Sequence, residues 1–92
     1  FELVRGWYRD GAFDLAVDGW HMRGRDGFEH KGFLCLRGDR FMKKIHKIMP
    51  SATPNEVRQS LLAHKALWLD SEGKNKRVCN QRVIGIPLKK LE

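Results

Sequence analysis

Thr53-Pro54-Asn55-Glu56-Val57-Arg58-Gln59-Ser60-Leu61-Leu62-Ala63-His64-Lys65-Ala66-Leu67 is the stretch on which the fold reading turns. Thr53 carries a hydroxyl that can accept a backbone N–H from a first helical turn. Pro54 then stands at the first helical position, where its missing N–H costs nothing. Glu56 follows Thr53 by three residues and completes a capping box. From Val57 onward, strong helix formers run for about three turns. Val57 and Leu61 share a face with Ser60 and His64 near them, while Leu62 and Ala66 lie off that line. The pattern predicts a helix covered on more than one side, with Asn55, Arg58, Gln59 and Lys65 facing outward.

Immediately upstream, Arg37-Gly38-Asp39 breaks an apolar segment, and Asp39 is placed to cap a helix over 40–49 that Pro50 stops. Phe41, Ile45 and Ile48 fall on one face of it, with Met42 and Met49 at the margins; Arg40, Lys44 and Lys47 fall on another. Only Ser51 and Ala52 separate Pro50 from Thr53, so the two helices should cross steeply, as in a helix-turn-helix. Downstream, Trp68 and Leu69 begin a strand ending at Asp70. Residues 71–76 form a polar hairpin tip. Residues 77–86 return as a second strand with Val78, Val83, Ile84 and Ile86, and Pro87 closes it. Leu88 and Leu91 are available to tuck back onto the core.

The first third of the chain reads as a short amphipathic helix over 1–10, with Leu3, Val4, Trp7 and Tyr8 at helical spacing and Gly11 as its exit. Phe13, Leu15 and Val17 alternate with Asp14, Ala16 and Asp18, the pattern of a half-buried strand that Trp20 and Met22 extend past Gly19. Residues 23–27, Arg-Gly-Arg-Asp-Gly, read as a turn. Residues 28–36 read as the returning strand of an antiparallel hairpin.

Ninety-two residues suffice for one domain with a single small core. With 41% hydrophobic residues and three Trp the chain is expected to fold. No apolar run approaches the roughly 20 residues a membrane helix needs, and nothing resembles a signal peptide. The start at Phe1 reads as a domain excised from a larger protein. Cys35 and Cys79 lie in strand-like surroundings and read as two reduced thiols of a cytoplasmic protein. The net charge of +7 is unevenly spread. Residues 1–36 carry five Lys/Arg against six Asp/Glu, and residues 37–92 carry thirteen against five. One basic face favours a polyanionic partner through steering and counterion release; the bland alternative is a solvated basic surface.

Helix, hairpin, helix, tight turn, helix, hairpin is the element order of a winged helix. The expected fold is therefore α+β, with three helices, an antiparallel hairpin and a C-terminal β-wing in one domain over 1–92. The second helix of the tight pair would enter the major groove of duplex DNA, because its width fits there. It offers Arg58, Gln59 and Lys65. The wing offers Lys74, Lys76 and Arg77, long cations that can reach phosphates. The preceding helix adds Lys44 and Lys47. Winged helices also dock proteins, so the alternative is an interaction module of the same parent protein, engaging a partner through the Trp7/Trp20 region without touching nucleic acid. A further class is a small inhibitor whose basic face blocks a nucleic-acid surface.

Chemistry-bearing constellations are sparse. His21, His30, His46 and His64 are scattered, with no pair at zinc spacing and no C-x-x-C, so no metal and no cofactor is expected. Ser60 and His64 are an i, i+4 pair on one helix, more simply a packing boundary than a catalytic couple. Asp14 and Asp18 read as solvent-facing, or as the acidic counterpart of a basic neighbour. The 23–27 segment lacks the setting and the lysine of a P-loop. Trp7, Tyr8, Trp20, Phe28 and Phe33 could make a stacking platform for single strands, but a domain this small needs most of its aromatics for the core. A non-enzyme is expected.

In its element order and motifs the chain resembles C-terminal modules of bacterial mobile-element proteins. One similarity is to the C-terminal domain of MobH-type relaxases of integrating conjugative elements, carried by residues 7–17, 32–36 and Asp39-Arg40-Phe41-Met42. The other is to the C-terminal winged-helix region of phage and plasmid helicase/primase proteins, carried by residues 33–86. The resemblance implies a non-catalytic DNA-binding or docking appendage, active in conjugation or replication in the bacterial cytoplasm, with the chemistry elsewhere in the parent protein. Tyr8 alone does not supply a relaxase nucleophile.

Overall fold

The apolar run Phe33-Leu34-Cys35-Leu36 becomes the strand around which the other elements are arranged. The structure, a computed structural model, describes residues 1–17, 20, 24–79 and 81–92. The expectations for Asp18, Gly19, His21, Met22, Arg23 and Asn80 lie outside these residues. The described chain is α1 (Glu2–Arg9), β1 (Leu15–Ala16), β2 (Gly27–His30), β3 (Phe33–Leu36), α2 (Gly38–His46), α3 (Pro54–Ala63), β4 (Arg77–Val78), β5 (Gln81–Arg82), β6 (Ile84–Pro87) and α4 (Leu88–Leu91). It is an α+β domain with a mixed four-stranded sheet in the order β1-β2-β3-β6 and a separate two-stranded pair, β4-β5.

β3 is covered on both faces, which is why it reads as continuous apolar sequence instead of alternating. Leu34 and Leu36 face one way and meet Phe41, Ile45, Leu61, Ile86 and Leu91, the cluster under the helices. Cys35 faces the other way, into a smaller cluster with Phe28, Val78 and Val83. Complete burial of Leu34, Leu36 and Ile86 is worth about 1.5–3 kcal/mol each. Phe33 and Trp68 pack onto the smaller cluster, so the segment after α3 lies against the sheet face opposite the helices.

The capping box forms as the sequence predicts. Thr53 Oγ1 accepts from the Glu56 N–H at 3.2 Å, and Glu56 Oε1 accepts from the Thr53 N–H at 3.3 Å. α3 closes at Ala63 with a pair of reversed bonds, Ala66 N–H to Leu61 O and Lys65 N–H to Leu62 O, both 2.9 Å. This is the Schellman closure, with Lys65 at φ +53° where glycine usually stands. α1 ends at Gly11 with the equivalent bonds, Ala12 N–H to Trp7 O and Gly11 N–H to Tyr8 O. Leu91 is fully buried in α4, as expected for a tucked C-terminus, and this short fourth helix packs against α1.

Three boundaries differ from expectation. The antiparallel partner of β3 is not the 13–22 segment; β1 is two residues long and runs parallel to β2. The hairpin lies inside the stretch read as one returning strand, with Phe28 opposite Cys35 and His30 opposite Phe33. A two-residue turn makes this possible: Lys31 at φ +49° and Gly32 at φ +83° adopt the mirror-image turn that matches strand twist. α2 starts at Gly38 with Arg37 as N-cap, and Asp39 sits inside the first turn without capping. The helix stops at His46, so Ile48 and Met49 leave the apolar face and are exposed. The connection to α3 therefore spans residues 47–53, bridged by the His46 ring, whose Nε2 lies 2.7 Å from Ala52 O.

The returning arm of the second hairpin also breaks up. Only Leu69 and Asn75 form a bridge, flanked by Asp70 N–H to Lys74 O at 2.7 Å and Lys76 N–H to Trp68 O at 3.1 Å. Arg77–Val78 then pairs with Gln81–Arg82, and Ile84–Pro87 leaves to pair antiparallel with β3. Burial decides this: Ile86 gains the main core by lying opposite Leu34.

Candidate nucleic-acid interface

The hairpin tip over 69–76 carries two of the expected wing cations, and its shape is set by three charged side chains turned inward. Asp70 Oδ1 accepts from the Glu72 and Lys74 N–H groups at 2.9 and 3.0 Å, the side-chain turn typical of aspartate. Asp70 Oδ2 accepts from Arg82 Nη1 at 2.7 Å, and the same nitrogen donates to Asn75 O at 2.7 Å. The Arg82 bond first, and the Lys74 backbone N–H second, hold the Asp70 carboxyl down to about 2. From α3, Arg58 donates to Asn75 Oδ1 and, at 2.8 Å, to Gly73 O. Its planar fork thus ties the central helix to the tip.

The eight sequence-predicted residues fall into three groups. Arg58 and Lys44 are structurally engaged. Lys44 Nζ donates to Ala12 O at 3.0 Å and lies 5.3 and 5.5 Å from the ring centroids of Trp7 and Phe13, joining α2 to the exit of α1. Lys47, Gln59, Lys65, Lys74 and Arg77 are exposed. Lys74 Nζ is 3.6 Å from Glu72 Oε2, an exposed pair of little strength. Lys76 is half-buried, its Nζ 5.4 Å from the Trp68 ring centroid. Lys74 and Lys76 flank Asn75, the residue that Arg58 holds, and Arg77 follows as the first residue of β4, whereas Lys44 is committed to the α1 side.

A groove of about 350 Å³ adjoins this hairpin, lined by Trp20, His30, Lys31, Trp68, Lys76 and Arg77 among others. Trp68 is positioned by a stacked contact with Phe33, ring centroids 4.0 Å apart and planes 11° from parallel. Its N–H bonds to Gly85 O at 2.8 Å, and a Cβ at Gly85 would come within 2.9 Å of the Trp68 Cβ. Only glycine permits that approach. Trp68 was expected only as the start of a strand and His30 only as one of four scattered histidines, and Lys31 drew no expectation; Lys31-Gly32, as a two-residue hairpin turn, was the available signal.

Four of the five rings weighed as a stacking platform are engaged in separate contacts within the fold. Phe28 is buried and Phe33 lies against Trp68. Trp7 meets Phe13 edge-on, and the Tyr8 hydroxyl donates to Glu29 Oε1 at 2.8 Å. That bond, then burial, raises the Tyr8 phenol above its ordinary value, opposite to what a phenolate nucleophile needs. His64 stacks on Phe1. Burial, with Cys79 nearby, pushes the Cys35 thiol up to about 11. Among the described residues no group of three or more His, Cys, Asp or Glu could hold a metal ion, and no described helix is long and apolar enough to cross a membrane. Comparison of the chain with protein-family models, curated proteins and solved structures gives no match.

Proposed function

We propose that this chain is a winged-helix-like accessory domain that binds duplex DNA without catalysis, serving DNA transfer or replication by a bacterial mobile-element protein of which it is one part. The observation that carries the reading is the hairpin that Arg58, Asp70 and Arg82 hold in shape, with Lys74 and Lys76 on its tip and Arg77 next in β4. A backbone already held in shape loses less conformational entropy on meeting phosphates than a free loop. Lys65, at the C-terminal end of α3, and Lys47, after α2, extend the positive surface, in keeping with the excess charge of residues 37–92. Arg58 serves as a clamp in this reading, so sequence preference rests on other groups, with Gln59 the exposed polar candidate on α3.

The test is the combined variant Lys74→Ala, Lys76→Ala, Arg77→Ala. Each lost phosphate contact lowers the dependence of log K on log salt by about 0.9, so the triple variant should lose nearly three units of slope and weaken binding evenly across sequences. Unchanged binding by a folded triple variant removes the hairpin from the interface.

A further inference from the structure

Two guanidinium groups meet at Asn75. Arg58 Nη1 donates to its side-chain oxygen, and Arg82 Nη1 donates to its carbonyl at 2.7 Å. Like charges held this close repel unless an anion offsets them. Asp70, paired with Arg82, supplies one anion. The partners of Arg58 are the Asn75 amide oxygen and the Gly73 carbonyl, both neutral. Among the described residues, the corner therefore keeps one part-buried positive charge that no carboxylate offsets. The same corner belongs to the wall of a cavity of about 620 Å³, within the roughly 300–1,000 Å³ that small-molecule sites occupy. Much of the remaining wall is aliphatic: Met42 from α2, Val57 and Leu61 from α3, Leu67 beyond it, and Val83 and Ile84 at the entry to β6. Met42, Val57, Leu67 and Ile84 are only half-buried, so they leave apolar surface to be covered. No aromatic ring is among the described lining residues, so the wall suits a flexible chain better than a flat ring. The one lining carboxylate, Asp39, is paired at 3.1 Å with Arg37, which is not a lining residue.

We infer that this cavity binds a medium-chain aliphatic monocarboxylate, its chain against Met42, Leu67 and Ile84 and its head group against the Arg58 and Arg82 guanidinium groups. Each arginine has five N–H donors. Arg58 uses two of them on Asn75 and Gly73, and Arg82 uses two on Asp70 and Asn75. The remaining donors can meet a carboxylate without undoing the hairpin. A single negative charge matches the single uncompensated cation, whereas a second carboxylate would have to sit against the aliphatic wall at a desolvation cost. The inference adds small-molecule binding to the function proposed above and does not depend on it.

The experiment titrates the whole domain with octanoate, decanoate and decanol, all below micelle formation, and follows the methyl NMR signals of Met42, Leu67 and Ile84. Decanoate should shift these signals to saturation and bind about tenfold tighter than octanoate, because each buried methylene is worth roughly fourfold. Decanol should bind about tenfold more weakly than decanoate, having lost the charge-assisted bonds. Met42→Glu, which sets a like charge in the aliphatic wall, should weaken decanoate by a similar factor. Arg58→Gln should do the same, and because it also loosens the hairpin, the decanoate–decanol comparison on the wild type tests the head group separately. Equal binding of decanoate and decanol overturns the guanidinium assignment. Shifts that grow without saturating overturn the site, as do shifts confined to Val4, Ile45 and Met49 around a second cavity of about 210 Å³. Neither result bears on duplex binding.

Discussion

Arg58→Ala separates a structural arginine from a DNA-reading one. The side chain makes one part-buried bond, to Asn75 Oδ1, and one exposed bond, to Gly73 O. Hydrogen bonds from a charged donor contribute about 1.5–3 kcal/mol when desolvated, and less when water can replace the partner. Crediting the part-buried bond at about 1.5 and the exposed one at about 0.5 gives a loss of about 2 kcal/mol. For a domain of this size that is a fall in Tm of about 10 °C. The assay is urea unfolding of wild type, Arg58→Ala, Asn75→Ala and the double variant, with amide exchange at Lys74 and Lys76 as the local readout. The cycle should return a coupling of about 1 kcal/mol or more between Arg58 and Asn75, and the hairpin amides should exchange faster. A coupling near zero, or a loss below about 0.5 kcal/mol, would refute the clamp and return Arg58 to the DNA-contacting group.

Asp70 should mark the acid limb of stability. Its folded carboxyl titrates at about 2 against an ordinary 3.8, so its contribution is complete above pH 3.8 and is lost as pH falls through 2. Asp70→Asn should flatten stability against pH in that window, and an unchanged profile would contradict the Arg82 pairing. Lys65→Gly relieves a left-handed residue at the end of α3 and should stabilise the domain by up to about 1 kcal/mol, while removing one cation from the positive surface. A destabilised Lys65→Gly would show that the side chain has a packing role.

Much of the helical framework was legible because its signals are local. Thr53, Pro54 and Glu56 define a helix start whatever the rest of the chain does, and Leu91 completes an apolar spacing. The sheet was legible only in part. Lys31 occupies a turn position where Asn or Gly would have announced the hairpin, so residues 28–36 looked like one strand. The fate of residues 77–87 depended on Ile86 finding Leu34, some fifty positions earlier, and no local pattern encodes that partner. The same limit applies to the site. Composition located the positive charge, but whether an arginine points to solvent or into a hairpin is a tertiary property. Arg58 and Arg82 turn inward because Asn75 and Asp70 are there to receive them.

The central claim is phosphate-tracking binding of duplex DNA, and its most direct test is the anisotropy of a labelled random duplex titrated with this domain at low and fourfold higher salt. Three phosphate contacts alone predict affinity falling by at least about 40-fold, a log–log slope near −2.7. Absence of binding at low salt, from a domain with a net charge of +7, would contradict the account and point to a protein partner instead.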